Sequence, residues 1–357
     1  MKFNITPSPP ILAILNTVPS PIPDGVRLIG APLEWDETQG EGVKVAVLDT
    51  GRPNHPDIKV AGAIDLTNTH PDDKNGHGSH VMGTIGADGN IKGVALRCEQ
   101  YSVKVIGDNG EGDWRWVEQG INWAVDNKMD IISMSLGGSL PANYLTLHEA
   151  IKLADAAGIL LVAAAGNMGL DYDETIMYPA VWPEVMAVTA VDFSKQRADF
   201  TSTGSEAELC APGVDIYSTH LNGQYVKLSG TSMACPHITG AAALIIAKLR
   251  KRGLPATPQM VRWGMKLYAD DLGIPGWDKV FGYGFFSFGR YEKADVVSPK
   301  IEMWIDKPIA YVDGQPFTMD APPHIKNSRT FIPARFASEA LGRKVDWNAI
   351  ERKVTIT

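Results

Sequence analysis

Between residues 42 and 191 the chain alternates apolar, β-branched runs with segments whose apolar residues recur at helical spacing. No other feature of the sequence constrains the fold as tightly. The runs are 43–48, 101–106, 130–136, 159–165 and 185–191. A strand with one face in water alternates polar and apolar residues, whereas a strand that is apolar throughout is covered on both faces. Between the runs, 114–127 carries Val117, Ile121, Ala124 and Val125 at helical spacing, and 143–157 reads as a helix stopped by Gly158. This β-α-β order predicts an α/β fold, a parallel sheet with helices on both faces. Ligands of such sheets sit at the carboxyl ends of the strands, where Asp49, Ser135 and Asn167 all fall.

The ends of the chain follow other rules. Residues 1–23 hold Pro7, Pro9, Pro10, Pro19, Pro21 and Pro23 and read as an extension. After about residue 290 the helical alternation stops. Segment 300–357 shows short strands at 301–305, 309–312 and 354–356, a hairpin signal at Asp313-Gly314, and one helix at 333–341 stopped by Gly342. The predicted division is an extension 1–23, a main domain 24–290, a linker 291–299 and a small α+β domain 300–357. A net charge of −8 without a dense Lys/Arg run argues against nucleic acid as a partner. No apolar stretch is read as approaching the roughly 18 residues of a membrane span. The start of the chain, with Lys2 as its only early basic residue and a short apolar run at 11–15, does not read as a secretory signal. Cys98, Cys210 and Cys235 are too few and too odd for a disulfide framework and fit a reducing compartment.

Three motifs carry chemistry. Gly230-Thr231-Ser232-Met233-Ala234-Cys235-Pro236-His237 precedes a long apolar helical stretch. A serine at a helix N-terminus meets free N–H groups that favour an oxyanion; alone, it reads as a helix cap. Asn75-Gly76-His77-Gly78-Ser79-His80-Val81 sets a histidine, the natural base near neutral pH, between glycines that leave room for a substrate backbone. His77 and His80 share a helix face and so also form a candidate metal pair, although no third ligand accompanies them; His80 itself reads as a hydrogen-bonded core residue. Val45-Ala46-Val47-Leu48-Asp49-Thr50-Gly51 ends a buried strand on a carboxylate that needs a partner, such as an imidazole N–H. Aspartic proteases also use Asp-Thr-Gly, but in pairs, and one copy is found here.

Together, in the order Asp, His, Ser, these motifs match the triad order of subtilisin. The sequence resembles the subtilases over about residues 24–290, most of all the intracellular subtilisins. Ile132-Ser133-Met134-Ser135-Leu136-Gly137-Gly138, Ala163-Ala164-Ala165-Gly166-Asn167, Tyr178-Pro179-Ala180 and Ala211-Pro212-Gly213 extend the likeness. The resemblance implies a serine endopeptidase acting on extended polypeptides, with Asp49, His77 and Ser232 as triad and Asn167 as oxyanion donor. It also implies that Ser135, Leu136 and Gly137 pair with the substrate backbone. Ala164 and Gly166 would line the pocket for the side chain before the cut. Met177 stands at the floor of that pocket, where relatives carry a small residue, so a shallower pocket that disfavours large aromatics is expected.

The resemblance further implies a structural calcium, with Asp57 as its carboxylate and Asp88 and Asn90 in the partner loop. That loop, 87–93, is about three residues shorter than in intracellular subtilisins, and calcium takes about six to eight oxygens. It implies a short inhibitory extension in which residues 1 to about 20 cross the active site and are later removed. Proline suits that role because it lacks an N–H and fixes φ; the alternative is a disordered tail. Segment 300–357 resembles the small domain named after the copper amine oxidase N-terminus, through Ile325-Lys326-Asn327-Ser328-Arg329-Thr330-Phe331-Ile332-Pro333-Ala334-Arg335-Phe336 and Val345-Asp346-Trp347. Copper is not expected there, because His324 is the segment's only histidine. Anchoring, spacing or self-association, a homodimer included, is its expected role. Such modules are frequent on exported bacterial proteins, so an extracellular site is the alternative to the cytoplasm. Two rival readings are a catalytically silent scaffold and a metal-dependent hydrolase built on Asp49, His77 and His80.

Overall fold

The computed structural model describes residues 2–4, 14–15, 20–140, 144–169 and 174–289, and after those 301–307, 309–312, 315–318, 322–326, 329–331, 345–348 and 353–356. The N-terminal segment contributes β1 (Lys2–Asn4) and β2 (Ile14–Leu15). Then come α1 (Asp24–Leu28), β3 (Lys44–Asp49), β4 (Val60–Asp65), α2 (His77–Gly86), β5 (Glu99–Lys104), β6 (Glu111–Asp113), α3 (Trp114–Asp126), β7 (Ile131–Met134), α4 (Thr146–Ala156) and β8 (Leu160–Ala164). They are followed by β9 (Val185–Val191), β10 (Ala207–Pro212), β11 (Ile216–Thr219), β12 (Tyr225–Leu228), α5 (Thr231–Lys251), α6 (Pro258–Leu267), β13 (Ala269–Asp270) and β14 (Phe285–Phe286).

The apolar runs lie side by side in one sheet of order β13-β14-β10-β9-β8-β7-β3-β5-β4. Each neighbouring pair is parallel except β13–β14. From β3 the chain builds first toward β5 and β4, then toward β7, β8, β9 and β10. The crevice between β3 and β7 is therefore the topological switch point, where α/β sheets bind their ligands. Strand alternation explains the two layers of helices. Val45 and Val47 point into one core with α2 and α5, and Ala46 and Leu48 into the other with α3 and α4.

Helix α5 corrects the reading that no stretch approaches membrane-spanning length. At 21 residues it is long and apolar enough, but most of it is buried against the sheet and α2 as the central helix of the core. It begins at Thr231, well before the predicted apolar stretch, and contains Pro236. Strand β4 escapes the sequence pattern because it is an edge strand with half-exposed residues and an interior Gly62.

The chain divides into two compact units. One holds residues 1–251 and 256–290, the other residues 252–255 and 291–357. The second contains β15 (Ile301–Trp304), β16 (Ile309–Val312), β17 (Gln315–Thr318), β18 (His324–Lys326), β19 (Arg329–Phe331), β20 (Val345–Asn348) and β21 (Lys353–Ile356). They form an antiparallel sheet of order β17-β16-β15-β21-β20 and a β18–β19 hairpin. Val312 pairs with Gln315, which flanks the predicted Asp313-Gly314 turn. The predicted helix at 333–341 and the linker at 291–299 lie outside the described residues.

Candidate active site

Asp49 ends β3 and is almost wholly buried. Its Oδ1 accepts the Thr50 N–H at 2.7 Å and the His77 Nδ1–H at 2.8 Å. Because a carboxylate only accepts, Nδ1 carries the proton and Nε2 is left as the basic nitrogen. Burial pushes the His77 imidazole down, but the charge and hydrogen bond of Asp49, backed by Asp73, outweigh it and hold His77 above its ordinary value.

His77 opens α2, and the residues around it saturate the free donors of that helix end. His77 N–H donates to Asn75 Oδ1 at 3.3 Å, Gly78 N–H to Thr50 Oγ1 at 2.8 Å and Ser79 N–H to Asp73 Oδ2 at 2.8 Å. Asp73 also accepts from Thr50 Oγ1, Asn75 N, Gly76 N and Ser79 Oγ. It thus fixes the loop that aims the imidazole, a role the sequence reading missed. His80 points elsewhere. Its Nε2 lies 2.8 Å from Ile216 O, and burial pushes it down to about 3. Among the described residues, no group of three or more His, Cys, Asp or Glu side chains is placed to hold a metal. The structure therefore does not assemble the metal-hydrolase set Asp49, His77 and His80.

Ser232 is the second residue of α5. Proline at 236 has no N–H for the carbonyl four residues before it, which is that of Ser232. Ser135 Oγ fills the gap at 2.9 Å, and Ser232 Oγ donates in return to Ser135 O at 3.1 Å. The segment after β7 and the start of α5 are thereby pinned together. The Ser232 hydroxyl is held against Ser135 rather than in a hydrogen bond to His77.

Asn167 follows β8. Its Oδ1 accepts from Thr231 N at 2.9 Å and from Thr231 Oγ1 at 2.9 Å. A backbone N–H can only donate, so the amide orientation is fixed with Oδ1 toward Thr231 and Nδ2 free to donate. A Cβ added to Gly230 would lie 3.4 Å from Nδ2, which places that donor beside the turn entering Ser232. Gly166 N–H donates to Thr231 Oγ1 at 3.1 Å, so the Thr231 hydroxyl relays backbone order to the amide. Thr231 is a second positioning residue that the sequence reading missed.

Ser135, Leu136 and Gly137 follow β7 outside any ladder. Met177 N–H donates to Ala165 O at 2.9 Å, and Gly138 N–H to Tyr178 O at 3.1 Å. The Met177 side chain consequently lies between Gly137 and Gly166, close to where Ala164 ends β8. A Cβ on Gly166 would stand 2.6 Å from Met177 Cγ, and one on Gly137 would stand 3.2 Å from Met177 Cβ.

A second edge, β6, was not foreseen. It begins just after the turn at Gly110 and ends at Asp113, the N-cap of α3. β1 pairs with it antiparallel, Phe3 opposite Gly112. Phe3 is buried and stacks on Trp114, ring centroids 4.3 Å apart. A Cβ on Gly112 would strike the Phe3 ring, and one on Gly138 would lie 2.9 Å from Phe3 Cβ. Phe3 of β1 thus fills the space between Gly112 and Gly138.

Residues 40–284, which include Asp49, His77, Asn167 and Ser232, match the family model described as the subtilase family. The chain belongs to the subtilase family. It is a subtilisin-type serine endopeptidase. It is 42% identical over 280 residues to the thermostable alkaline protease of Halalkalibacterium halodurans, covering 77% of this chain and 74% of that protein. It is 46% identical to an intracellular serine protease of Paenibacillus polymyxa, covering 63% and 72%, and 44% identical to subtilisin DY of Bacillus licheniformis, covering 64% and 85%. Residues 294–356 match the copper amine oxidase N-terminal domain.

In this subtilase the calcium ligands expected from resemblance do not fit an ion. Asp57 Oδ1 accepts Asn90 N–H at 3.0 Å, and Oδ2 accepts Ile91 N–H at 3.0 Å and the Tyr225 hydroxyl at 2.7 Å. Asp88 pairs with Lys92 at 2.7 Å, and Asn90 Nδ2 donates to Tyr225 at 3.1 Å. Asp57, Asp88 and Asn90 are brought together, but as a hydrogen-bonded loop rather than a cage of free oxygens.

Proposed function

We propose that this endopeptidase cuts extended polypeptides through an Asp49–His77–Ser232 triad and an acyl-enzyme, and that its own N-terminal segment restrains it. The observation that carries the reading is the hydrogen bond from His77 Nδ1 to Asp49 beside the helix that starts at Ser232. His77 Nε2 takes the Ser232 proton, Ser232 attacks the scissile carbonyl, and Asn167 Nδ2 with the Ser232 N–H steadies the oxyanion. His77 then returns the proton to the leaving amine, and water releases the acyl group by the same route. Ser135–Gly137 and β6 offer two backbone edges, so an extended chain binds mainly through its main chain and many sequences are accepted. The filled space between Gly137 and Gly166 disfavours Phe, Tyr and Trp before the cut.

Restraint follows from Phe3. Its side chain contributes about 1.5–3 kcal/mol by burial, and its stacking on Trp114 about 0.5–1.5 kcal/mol. Tethering makes that contact intramolecular and hard to displace. The unpaired thiols of Cys98, Cys210 and Cys235 favour a reducing compartment, hence the cytoplasm. For the C-terminal unit we propose spacing or self-association.

The test incubates purified wild type and Ser232→Ala, following N-terminal mass and casein products. The expected result is that only wild type shortens its N-terminus, that casein hydrolysis rises as it does so, and that cuts fall after Leu, Ala and other mid-sized residues. Absence of casein cleavage by a chain lacking residues 1–23 would favour the silent-scaffold reading. Full activity before trimming would remove the restraint.

A further inference from the structure

We propose that the loop at 87–93 is closed without a metal ion: its own N–H groups and the Tyr225 hydroxyl satisfy the Asp57 carboxylate, and the same clamp fastens the chain at Pro21. Asp57 is 4% exposed, and a carboxylate so placed needs partners. It has them on every side. Besides the three donors to its side chain, its carbonyl accepts Asp88 N–H at 2.8 Å. Gly89 lies directly on the carboxylate, since a Cβ there would collide with Asp57 Oδ1 and Cγ. A calcium ion needs oxygens about 2.3–2.6 Å away. Here the carboxylate meets the positive ends of N–H groups, which repel a cation.

Two further features point the same way. Lys92, paired with Asp88, places a fixed positive charge in the loop and uses the acidic side chain that would have been a ligand. Tyr225 is locked for its role. Its ring stands edge-on to His55 at 5.0 Å and stacks on Tyr217 at 5.7 Å, while its hydroxyl accepts from Asn90 and donates to Asp57. The clamp then reaches the N-terminal segment. Lys92 N–H donates to Pro21 O at 2.8 Å, and β12, which begins at Tyr225, pairs with β2. Chelation should therefore leave both the loop and this attachment in place.

The experiment uses the full chain carrying Ser232→Ala, so that self-cleavage does not interfere. Thermal unfolding is recorded in EGTA and in millimolar calcium, with Tyr225→Phe and Asp57→Asn in the same background. Tyr225→Phe should lower the melting temperature by about 3–8 °C, equally in both buffers. Any calcium-dependent rise should persist in Asp57→Asn, which would place the ion elsewhere and support the clamp. A calcium-dependent rise abolished by Asp57→Asn would overturn the proposal. So would a Tyr225→Phe deficit seen only in EGTA. Terbium emission gives a readout that does not depend on Asp57→Asn folding. An ion beside Asp57 would sit against Tyr225 and be excited through it, so emission lost in Tyr225→Phe would also overturn the proposal, and emission unchanged by it would support it.

Discussion

Asp49→Asn keeps the shape of the side chain beside His77 and removes its charge. Two opposed influences act on that imidazole: burial lowers it, and Asp49 raises it by more. In the wild type His77 is neutral, and so able to act as base, only above a value higher than its ordinary one. Activity should therefore fall as pH drops through that raised value. In Asp49→Asn the burial influence is left nearly alone, so the acid limb of kcat/KM should move to lower pH. The rate at its plateau should drop by about 10⁴, the loss found for the equivalent change in a trypsin-like triad. A pH profile on a peptide substrate checks both; an acid limb that stays in place would contradict the assigned electrostatics. At this scale a short motif was enough to mark the residues of the candidate site, Asp49, His77, Ser232 and Asn167, whose chemical roles remain the proposal made above. Thr231 acts through bonds to Gly166 and Asn167, far away in the chain, so no local pattern marks it; the Asp73 carboxylate bonds mostly within its own loop, to Asn75, Gly76 and Ser79, and only Thr50 is distant. At Asp57 the motif shows the acidic residue but not its surroundings: Tyr225 donates to it from a distant strand, and Lys92 pairs with the neighbouring Asp88.

Elements depend on partners of the same kind. Glu208 on β10 is buried and paired with Arg262 on α6, which also donates to Pro183 O at 2.9 Å, and Lys266 stands 3.4 Å away. Burial would raise the Glu208 carboxyl, but Arg262 and Lys266 hold it below its ordinary value. A depressed carboxyl adds stability above its unfolded value and loses it as pH falls through the folded one. Arg262→Ala should destabilise the domain by about 3 kcal/mol at neutral pH, because it leaves a buried charge half-paired. Urea unfolding measures this; a change under about 0.5 kcal/mol would place the pair among surface bridges. Among the elements themselves, β9 was read to its last residue because it is buried throughout and apolar except at Thr189. β6 was missed since three residues ending in an N-cap carry no periodicity, and β4 because an edge strand is only half buried.

At the scale of the whole molecule, the parallel sheet sets the geometry. Its order turns at β3, and the crevice there receives Asp49 from one side and Ser135 from the other. The strand-helix alternation made that sheet predictable, while the pairing of β1 with β6 was not, because Phe3 finds Trp114 more than a hundred residues away. The proposed mechanism requires that Ser232 is the nucleophile and that His77 activates it. The most direct measurement treats the trimmed enzyme with a fluorophosphonate and maps the adduct by mass spectrometry while following casein hydrolysis. The expected result is a single adduct on Ser232, activity lost in step with its formation, and no adduct in His77→Ala. Hydrolysis that survives complete modification of Ser232, or an inactivating adduct on any other residue, would contradict it.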